Sequence, residues 1–224
     1  MYKPYALPKM SDRDRRYFLN QRQKYESNCA KLFDLCRSPS LSKNRIQQAL
    51  AFQPWAFAIR DYNDMLPLHV VCESFKSGGG SVDVVKYLLE LYPKSVEKGD
   101  ENGSLPLHLA CEGGAPLQVV QYLYELYPKS VEKSNTKSYP PLHNIVCRCG
   151  ACNQKSYHPL HLACEFGASF QVVQYLYEQT PQSVRDKPEK CGGLWTPLHH
   201  ACRGGCSPLD VIQYLVGKCH ENVS

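Results

Sequence analysis

The stretch from residue 139 to 167 concentrates the side chains that could do chemistry. It reads "YPPLHNIVCRCGACNQKSYHPLHLACEFG" and holds seven thiol and imidazole groups: Cys147, Cys149, Cys152, Cys164, His143, His158 and His161. Thiolates and imidazoles are zinc ligands, and a thiol beside an imidazole is also how a cysteine nucleophile meets its base. The stretch is therefore open to three interpretations: a metal site, a nucleophile with its base, or part of a repeating scaffold.

A zinc site would use Cys147, Cys149, Cys152 and His158 as its four ligands. The C-x-C-x-x-C spacing has no second C-x-x-C to pair with it. Nothing marks a third residue that would orient a catalytic pair, and the chain contains no GxGxxG, P-loop or H-E-x-x-H motif. We predict no catalytic residue, no cofactor and no enzyme activity, and keep the zinc site as an alternative.

The composition predicts a folded intracellular protein. The chain has 224 residues, 43% of them hydrophobic, which is enough to bury a core as one domain or one elongated array. No run approaches eighteen apolar residues, and the N-terminus lacks the apolar stretch of a secretory signal. The twelve cysteines are therefore expected to be reduced, in the cytoplasm or nucleus, with no transmembrane segment and no secretion.

The net charge of +5 is concentrated near the N-terminus. Residues 1–31 hold eight Lys and Arg against three Asp and Glu, whereas residues 32–224 hold eighteen of each kind. This basic arm is interpreted as the solvated face of a first helix. As an alternative, it makes the protein an electrostatic adaptor for nucleic acid or an anionic membrane surface, through Lys9, Arg13, Arg15, Arg16, Arg22 and Lys24.

One motif with Pro-Leu-His at its centre recurs five times along the chain. Its copies are "LPLHVVCE" at 66–73, "LPLHLACE" at 105–112, "PPLHNIVCR" at 140–148, "HPLHLACE" at 158–165 and "TPLHHACR" at 196–203. Three of them precede a second block such as "VVQYLYELYPKS", in which Val119, Val120, Leu123 and Leu126 recur at the spacing of one helix face. A proline is predicted to end each of these helices: Pro93, Pro128 or Pro181.

Each unit is thus predicted to be a short helix that begins at proline, a glycine-containing turn, a longer helix and a polar connector. This pattern resembles the ankyrin repeat, whose signature is T-P-L-H-x-A followed by a glycine and V-V-x-x-L. The resemblance implies an all-α fold, an ankyrin-type α-solenoid of helix-turn-helix repeats with short hairpin-like connectors. Only Thr196 keeps the threonine before proline, so the other first helices are expected to lose about 1 kcal/mol of capping each.

The resemblance divides the chain into an arm (residues 1–28), a repeat array (29–219) and a tail (220–224). The units of the array are expected at 29–64, 65–103, 104–138, 139–157, 158–194 and 195–219. The first lacks Pro-Leu-His and is interpreted as an N-terminal cap, and the terminal helix (207–219) as the opposite cap. The unit at 139–157 is truncated, because it has no second helix. A gap in the outer layer is expected there, so that the second helices at 117–127 and 170–179 have to close over it, or the array bends. As an alternative, residues 147–157 bulge as a loop; the sequence does not decide whether 139–157 is a helix, a loop or a bend.

The repeat resemblance also assigns the histidines and half of the cysteines to structure. It implies that five histidines bind backbone groups between neighbouring units: His69, His108, His143, His161 and His199. A buried imidazole must in any case find polar partners. Six cysteines share one repeat position and are predicted to fill the core as small hydrophobic side chains: Cys36, Cys72, Cys111, Cys147, Cys164 and Cys202.

The function predicted from these patterns is a non-enzymatic scaffold or adaptor for protein–protein interaction, with a monomer as the default state. A stack of units presents a long curved surface, and a partner protein is expected on its concave face and connector tips. The expected partner-binding residues are Arg60, Tyr62, Asn63, Asp100, Glu101, Asn102, Asn135, Lys137, Lys190 and Trp195. Tyr62 and Trp195 are the best anchor candidates because aromatic side chains dominate many interfaces. Alternatively, both pack against adjacent loops.

Overall fold

The structure is a computed structural model that describes residues 30–52, 56–137, 155–181, 196–204 and 207–221. Within these ranges the α-helices are α1 (residues 30–37), α2 (Lys43–Phe52), α3 (Pro67–Glu73), α4 (Val82–Leu91), α5 (Pro106–Glu112), α6 (Leu117–Leu126), α7 (Pro159–Glu165), α8 (Phe170–Gln179), α9 (Pro197–Gly204) and α10 (Leu209–Glu221). Short 3-10 helices lie at Ala56–Ala58, Ser74–Ser77, Pro93–Glu97 and Pro128–Val131. Two three-residue strands, β1 (Asn135–Lys137) and β2 (Lys155–Tyr157), form an antiparallel ribbon.

The helices lie in two layers. The short helices α3, α5, α7 and α9 stack in that order in a first-helix layer. The longer helices α2, α4, α6, α8 and α10 stack in the same order in a second-helix layer. Each short helix also packs against the longer helix that follows it, from α3 with α4 to α9 with α10. The prediction of a helical solenoid is confirmed.

The short helices depend on packing rather than on their own hydrogen bonds. In α3, α5 and α7 a proline occupies the first turn, and the six residues that follow the N-cap are all buried. A helix of seven residues is too short to be stable alone in water. These helices persist because the neighbouring units cover them on both sides.

The longer helices end where the sequence predicts. α4, α6 and α8 finish two residues before Pro93, Pro128 and Pro181. The residue that precedes each proline has left the helical region, with φ of −142°, −146° and −140° in turn. The proline ring disfavours helical geometry in the residue before it, so the helix stops there. Val119, Val120 and Leu123 form the buried face of α6, as their spacing predicts, whereas Leu126, predicted on the same face, is 44% exposed at the end of the helix.

Neighbouring units approach each other closely at the ends of the short helices. A Cβ atom placed on Gly113 would lie 2.5 Å from the carbonyl oxygen of Cys72, at the end of α3. At two other seams a serine hydroxyl donates to the corresponding cysteine carbonyl: Ser74 Oγ to Cys36 at 3.0 Å, and Ser207 Oγ to Cys164 at 2.6 Å. Each unit thus satisfies or covers the last carbonyl groups of the preceding short helix.

The expected gap in the outer layer at residues 139–157 is absent between α6 and α8, which contact each other directly. The rings of Tyr124 and Tyr175 meet edge to face across this seam, with centroids 5.7 Å apart. α5 likewise packs on α7, and packed helices lie about 8 to 10 Å apart, which leaves no room for another helix between them. Of the outcomes that the sequence left open, the longer helices on either side close over the missing helix, and the chain leaves and returns through the paired strands β1 and β2. Residues 138–154 lie outside the described part, so the exact unit boundaries stay a prediction.

Two further expectations can be compared with the described residues. Leu66, Leu105 and His158 make no side-chain cap bond, which agrees with the loss of the threonine hydroxyl. In the part of the chain that the structure describes, no helix combines the length and the apolar composition needed to cross a membrane.

Candidate functional site

The repeated histidines of the second and third units use both ring nitrogens on backbone groups. His69 Nδ1 accepts a hydrogen bond from the Leu66 N–H at 3.1 Å, and its Nε2 lies 2.8 Å from the Lys98 carbonyl oxygen. His108 repeats this with Leu105 at 3.2 Å and Lys133 at 2.9 Å. An Nδ1 that accepts and an Nε2–H that donates define the neutral Nε2–H tautomer. The geometry supports a structural role.

Both bonds lie within one expected unit rather than between neighbouring units. Lys98 belongs to the unit of His69, and Lys133 to the unit of His108. The imidazole therefore ties the start of a short helix to the connector that ends the same unit. Burial lowers the pKa of His69 to about 4, although its bond to the Lys98 carbonyl opposes this shift. The ring is neutral at pH 7, so it does not act as a general acid there, although its Nε2–H still donates a hydrogen bond.

The remaining repeated histidines have different surroundings. His161 is buried, and its ring centroid lies 5.6 Å from that of His158 and 5.5 Å from that of His200. His200 Nδ1 lies 3.3 Å from a carboxylate oxygen of Glu165. His199 is exposed, and its Nδ1 accepts from the Thr196 N–H at 3.2 Å. The copy that contains His143 lies outside the described residues.

Four of the repeated cysteines fill the core as predicted: Cys36, Cys72, Cys111 and Cys164 are fully buried. Burial raises the pKa of the Cys36 thiol to about 12 and raises the pKa values of the other three thiols as well. Thiols that stay protonated are poor nucleophiles and poor metal ligands. Cys202 departs from the prediction, because it is exposed on α9.

No metal site is found among the residues described: no group of three or more His, Cys, Asp or Glu side chains there is arranged so that it could hold a metal ion. The zinc alternative is therefore unsupported, and its ligands Cys147, Cys149 and Cys152 lie outside the described ranges. The arm residues of the electrostatic alternative, all within 1–29, lie outside them too.

The connector tips before α3 and α5, at residues 60–64 and 99–104, are built by the same kind of turn. Asp61 Oδ1 accepts from the N–H groups of Asn63 and Met65, at 2.9 and 3.0 Å. Asp100 Oδ1 does the same for Asn102 and Ser104, at 2.9 and 2.7 Å. An aspartate that accepts from the backbone two residues on stabilises a turn in place of secondary structure.

The two tips are also joined to each other. The Glu101 N–H donates to the Asn63 carbonyl oxygen at 3.1 Å. Arg60 Nη1 donates to a carboxylate oxygen of Asp64 at 2.7 Å and to the Gly99 carbonyl oxygen at 2.9 Å. Arg60 therefore clamps the first tip to the second, rather than standing free as a partner-binding group. Consecutive tips form a continuous hydrogen-bonded edge.

The expected partner-binding residues fall into three groups. Tyr62 and Glu101 are exposed, Tyr62 by 73%. Four are half-buried in the turns just described: Arg60, Asn63, Asp100 and Asn102. Of the other four, Asn135 is buried, Lys137 lies in β1, and Lys190 and Trp195 lie outside the described residues.

Asn135 is the clear exception among the expected binding residues. Its side chain is 1% exposed, and its Nδ2 donates to Ser104 Oγ at 2.9 Å. This buried amide joins the connector that follows α6 to the tip at residues 99–104, so it is not available to a partner. The expectation was wrong because the residue occupies the structural place of Asp100, at the start of the turn, rather than the tip itself.

The sequence placed Asp61 in a connector tip but did not identify it as the residue that builds the turn. Asp61 and Asp100 each precede the repeated histidine by eight residues, and this recurrence was the available signal. Asp61 also pairs with Arg37 of α1, whose Nη2 lies 3.2 Å from its carboxylate. Asp61 and Asp100 are occupied in holding their turns. The exposed residue that follows each of them, Tyr62 or Glu101, is therefore the better candidate for binding a partner.

Comparison with protein-family models gives one match. The model for ankyrin repeats, found in three copies, matches residues 41–136 and 126–224. The curated proteins contain no significant match to this chain.

Proposed function

Because the chain belongs to the ankyrin repeat family, we propose that it is a non-enzymatic scaffold or adaptor that binds a partner protein through its connector tips. Repeats of this family are generally protein–protein interaction modules. The observation that carries the proposal for this chain is the exposed Tyr62 beside the exposed Glu101 on adjacent, hydrogen-bonded tips.

The rigidity of the tips supports binding. Each turn is fixed by its aspartate, and the Arg60 clamp joins the two turns. Binding costs free energy when loops and side chains become ordered, so a tip that is already ordered loses less on association. Tyr62 offers a large contact area with only two rotatable bonds, which suits an anchor side chain.

The charges around Tyr62 favour a partner of a particular kind. Glu101 is exposed, and the Asp64 side chain is 59% exposed although Arg60 contacts it. Complementary charge raises the rate of association and helps to exclude wrong partners. We therefore expect a partner segment that places an apolar group against Tyr62 and positive charge beside it.

Site-specific photo-crosslinking in an extract of the native cells tests this proposal. A benzophenone amino acid placed at Tyr62 should crosslink a partner protein. The same group at Glu90, which is exposed on α4 in the second-helix layer of the same region, should not. Equal crosslinking from both positions would contradict binding at the tips.

Substitutions complete the test. Tyr62→Ala and Glu101→Ala should each weaken capture of the crosslinked partner at unchanged melting temperature, because both side chains are exposed. A chain that lacks residues 1–28 should still capture it. Capture that depends on the arm and falls steeply with salt would instead favour the electrostatic adaptor.

A further inference from the structure

The connector tips before α3 and α5 carry an excess of negative charge. Residues 60–64 and 99–104 hold one arginine and four carboxylates: Asp61, Asp64, Asp100 and Glu101. Glu101 is exposed, the Asp64 side chain is 59% exposed, and Tyr62 on the same pair of tips is 73% exposed. We call the surface formed by Tyr62, Asp64 and Glu101 the tip surface. Its natural ligand combines positive charge with an apolar group.

The same chain contains a segment with this chemistry. Residues 1–29, which lie outside the described part, hold seven Lys and Arg against three Asp and Glu. Within them residues 13–18, "RDRRYF", place three arginines directly before Tyr17 and Phe18. Arginine pairs with carboxylates through two parallel hydrogen bonds, and aromatic side chains pack against one another. We call residues 13–18 the basic-aromatic segment.

The start of the array lies close to the tip surface. α1 begins at residue 30, and its last residue, Arg37, lies 3.2 Å from the carboxylate of Asp61. A helix of this length is about 12 Å long. The eleven residues 19–29 connect the basic-aromatic segment to α1, and an extended chain of that length spans about 36 Å. The segment is therefore within reach of the tips of its own chain.

We propose that the basic-aromatic segment binds the tip surface of its own chain and competes there with a partner protein. The proposal rests on the proposed function, because it describes how the same site is regulated. The arginines of the segment pair with Asp64 and Glu101, and its aromatic side chains pack on Tyr62. A partner that uses the same chemistry binds only after it has displaced the segment.

The covalent connection makes even a weak contact effective. A short linker gives a tethered segment an effective concentration in the millimolar range. At about 3 mM, a contact with a dissociation constant of about 1 mM occupies about three quarters of the chains. About one quarter of the tips stay open, and the apparent affinity for a partner is about fourfold lower than that of an open tip.

Photo-crosslinking of the purified full chain tests this contact with no partner present. A benzophenone amino acid at Tyr62 should crosslink to residues 13–18, in a product with the mass of one chain. The same group at Glu90, which is exposed on α4, should crosslink to them much less. The yield should be the same at about 1 and about 50 μM protein, because the contact is intramolecular. It should fall in about 0.5 M salt, which screens the charges.

Charge variants of the arm identify the segment. If Arg13→Gln, Arg15→Gln and Arg16→Gln together weaken the contact about tenfold, the occupied fraction falls from about three quarters to about one quarter. The crosslink should then fall about threefold, and capture of a partner from the native cell extract should rise about threefold. Lys3→Gln, Lys9→Gln and Lys24→Gln are the matched control, because they remove the same number of charges from the arm outside the segment. Both yields should stay near those of the wild type in this control.

The outcomes separate this proposal from the proposed function. A Tyr62 probe that does not reach residues 13–18, or that gives only products with the mass of two chains, would overturn the intramolecular contact. An equal loss of crosslink in the control variant would overturn the assignment to residues 13–18, and unchanged partner capture in the triple arginine variant would overturn the competition. A chain that forms the crosslink but captures no partner in any of these variants contradicts the proposed function instead.

Discussion

Acid should destabilise this protein through His69, whose neutral ring is held between two backbone groups. Its Nδ1 accepts from Leu66 and its Nε2–H donates to the Lys98 carbonyl. Protonation puts a hydrogen on Nδ1, which then faces the Leu66 N–H and loses that bond. Because burial lowers the folded pKa of His69 from 6.5 to about 4, the unfolded chain binds a proton more readily than the folded one.

The sign and size of the effect follow from these two values. The stabilisation is fully present above pH 6.5 and is lost as the pH falls towards 4. The shift of about 2.5 units corresponds to a maximum of about 3 kcal/mol. Between pH 7.5 and pH 5 this single group should remove about 2 kcal/mol, a large share of the stability of an ordinary domain.

Urea unfolding of the wild type and of His69→Gln at pH 7.5 and pH 5 would measure this loss. The wild type should lose about 2 kcal/mol more than the variant, because glutamine does not titrate. An NMR titration of the His69 ring in the folded wild type gives the pKa directly, even if the variant folds poorly. A ring that titrates near 6.5, or an equal pH dependence in both proteins, would refute the reasoning.

Three further predictions concern packing. Leu123→Ala, in the buried face of α6, should cost about 2 to 5 kcal/mol in urea unfolding, whereas the exposed control Glu125→Ala should cost less than about 0.5. Gly113→Ala should lower the melting temperature strongly, because its Cβ would collide with the Cys72 carbonyl; an unchanged value would contradict the seam. In folded protein, mass spectrometry after alkylation should find Cys202 modified and these buried thiols protected: Cys36, Cys72, Cys111 and Cys164.

The regular part of the fold could be predicted from sequence because each unit repeats the same local sequence signals. Proline starts the short helix, paired valines and leucines define the buried face of the longer one, and a second proline ends it. These signals act within a few residues, and their recurrence removes the ambiguity of any single copy. The ends of the array were harder to predict, since exposure there depends on the absence of a covering unit and not on local sequence. Cys202 and Leu209 show this directly.

The connector tips were only partly predictable. Their position before each short helix followed from the repeat, and Tyr62 and Glu101 are exposed as a tip requires. Which residues of a tip are structural and which are exposed could not be predicted. Polarity alone does not separate a residue that binds the nearby backbone from one that faces solvent. Asp100 and Asn135 are both polar residues of a connector, yet one caps a turn and the other is buried against Ser104.

The third Pro-Leu-His copy, at 140–148, lies outside the described residues, but the spacing of the units on either side of it can be compared. In the second connector, the Asp100 N–H donates to the Ser104 carbonyl at the base of the turn. In the third connector, the corresponding pair is Asn135 and Tyr157, which face each other in the ribbon of β1 and β2. Residues 138–154 lie between these two strands in the sequence. Without them the spacing from His108 to His161 falls from 53 to 36 residues, close to the 39 between His69 and His108. The spacing of the described units is therefore nearly regular when residues 138–154 are left out of the count.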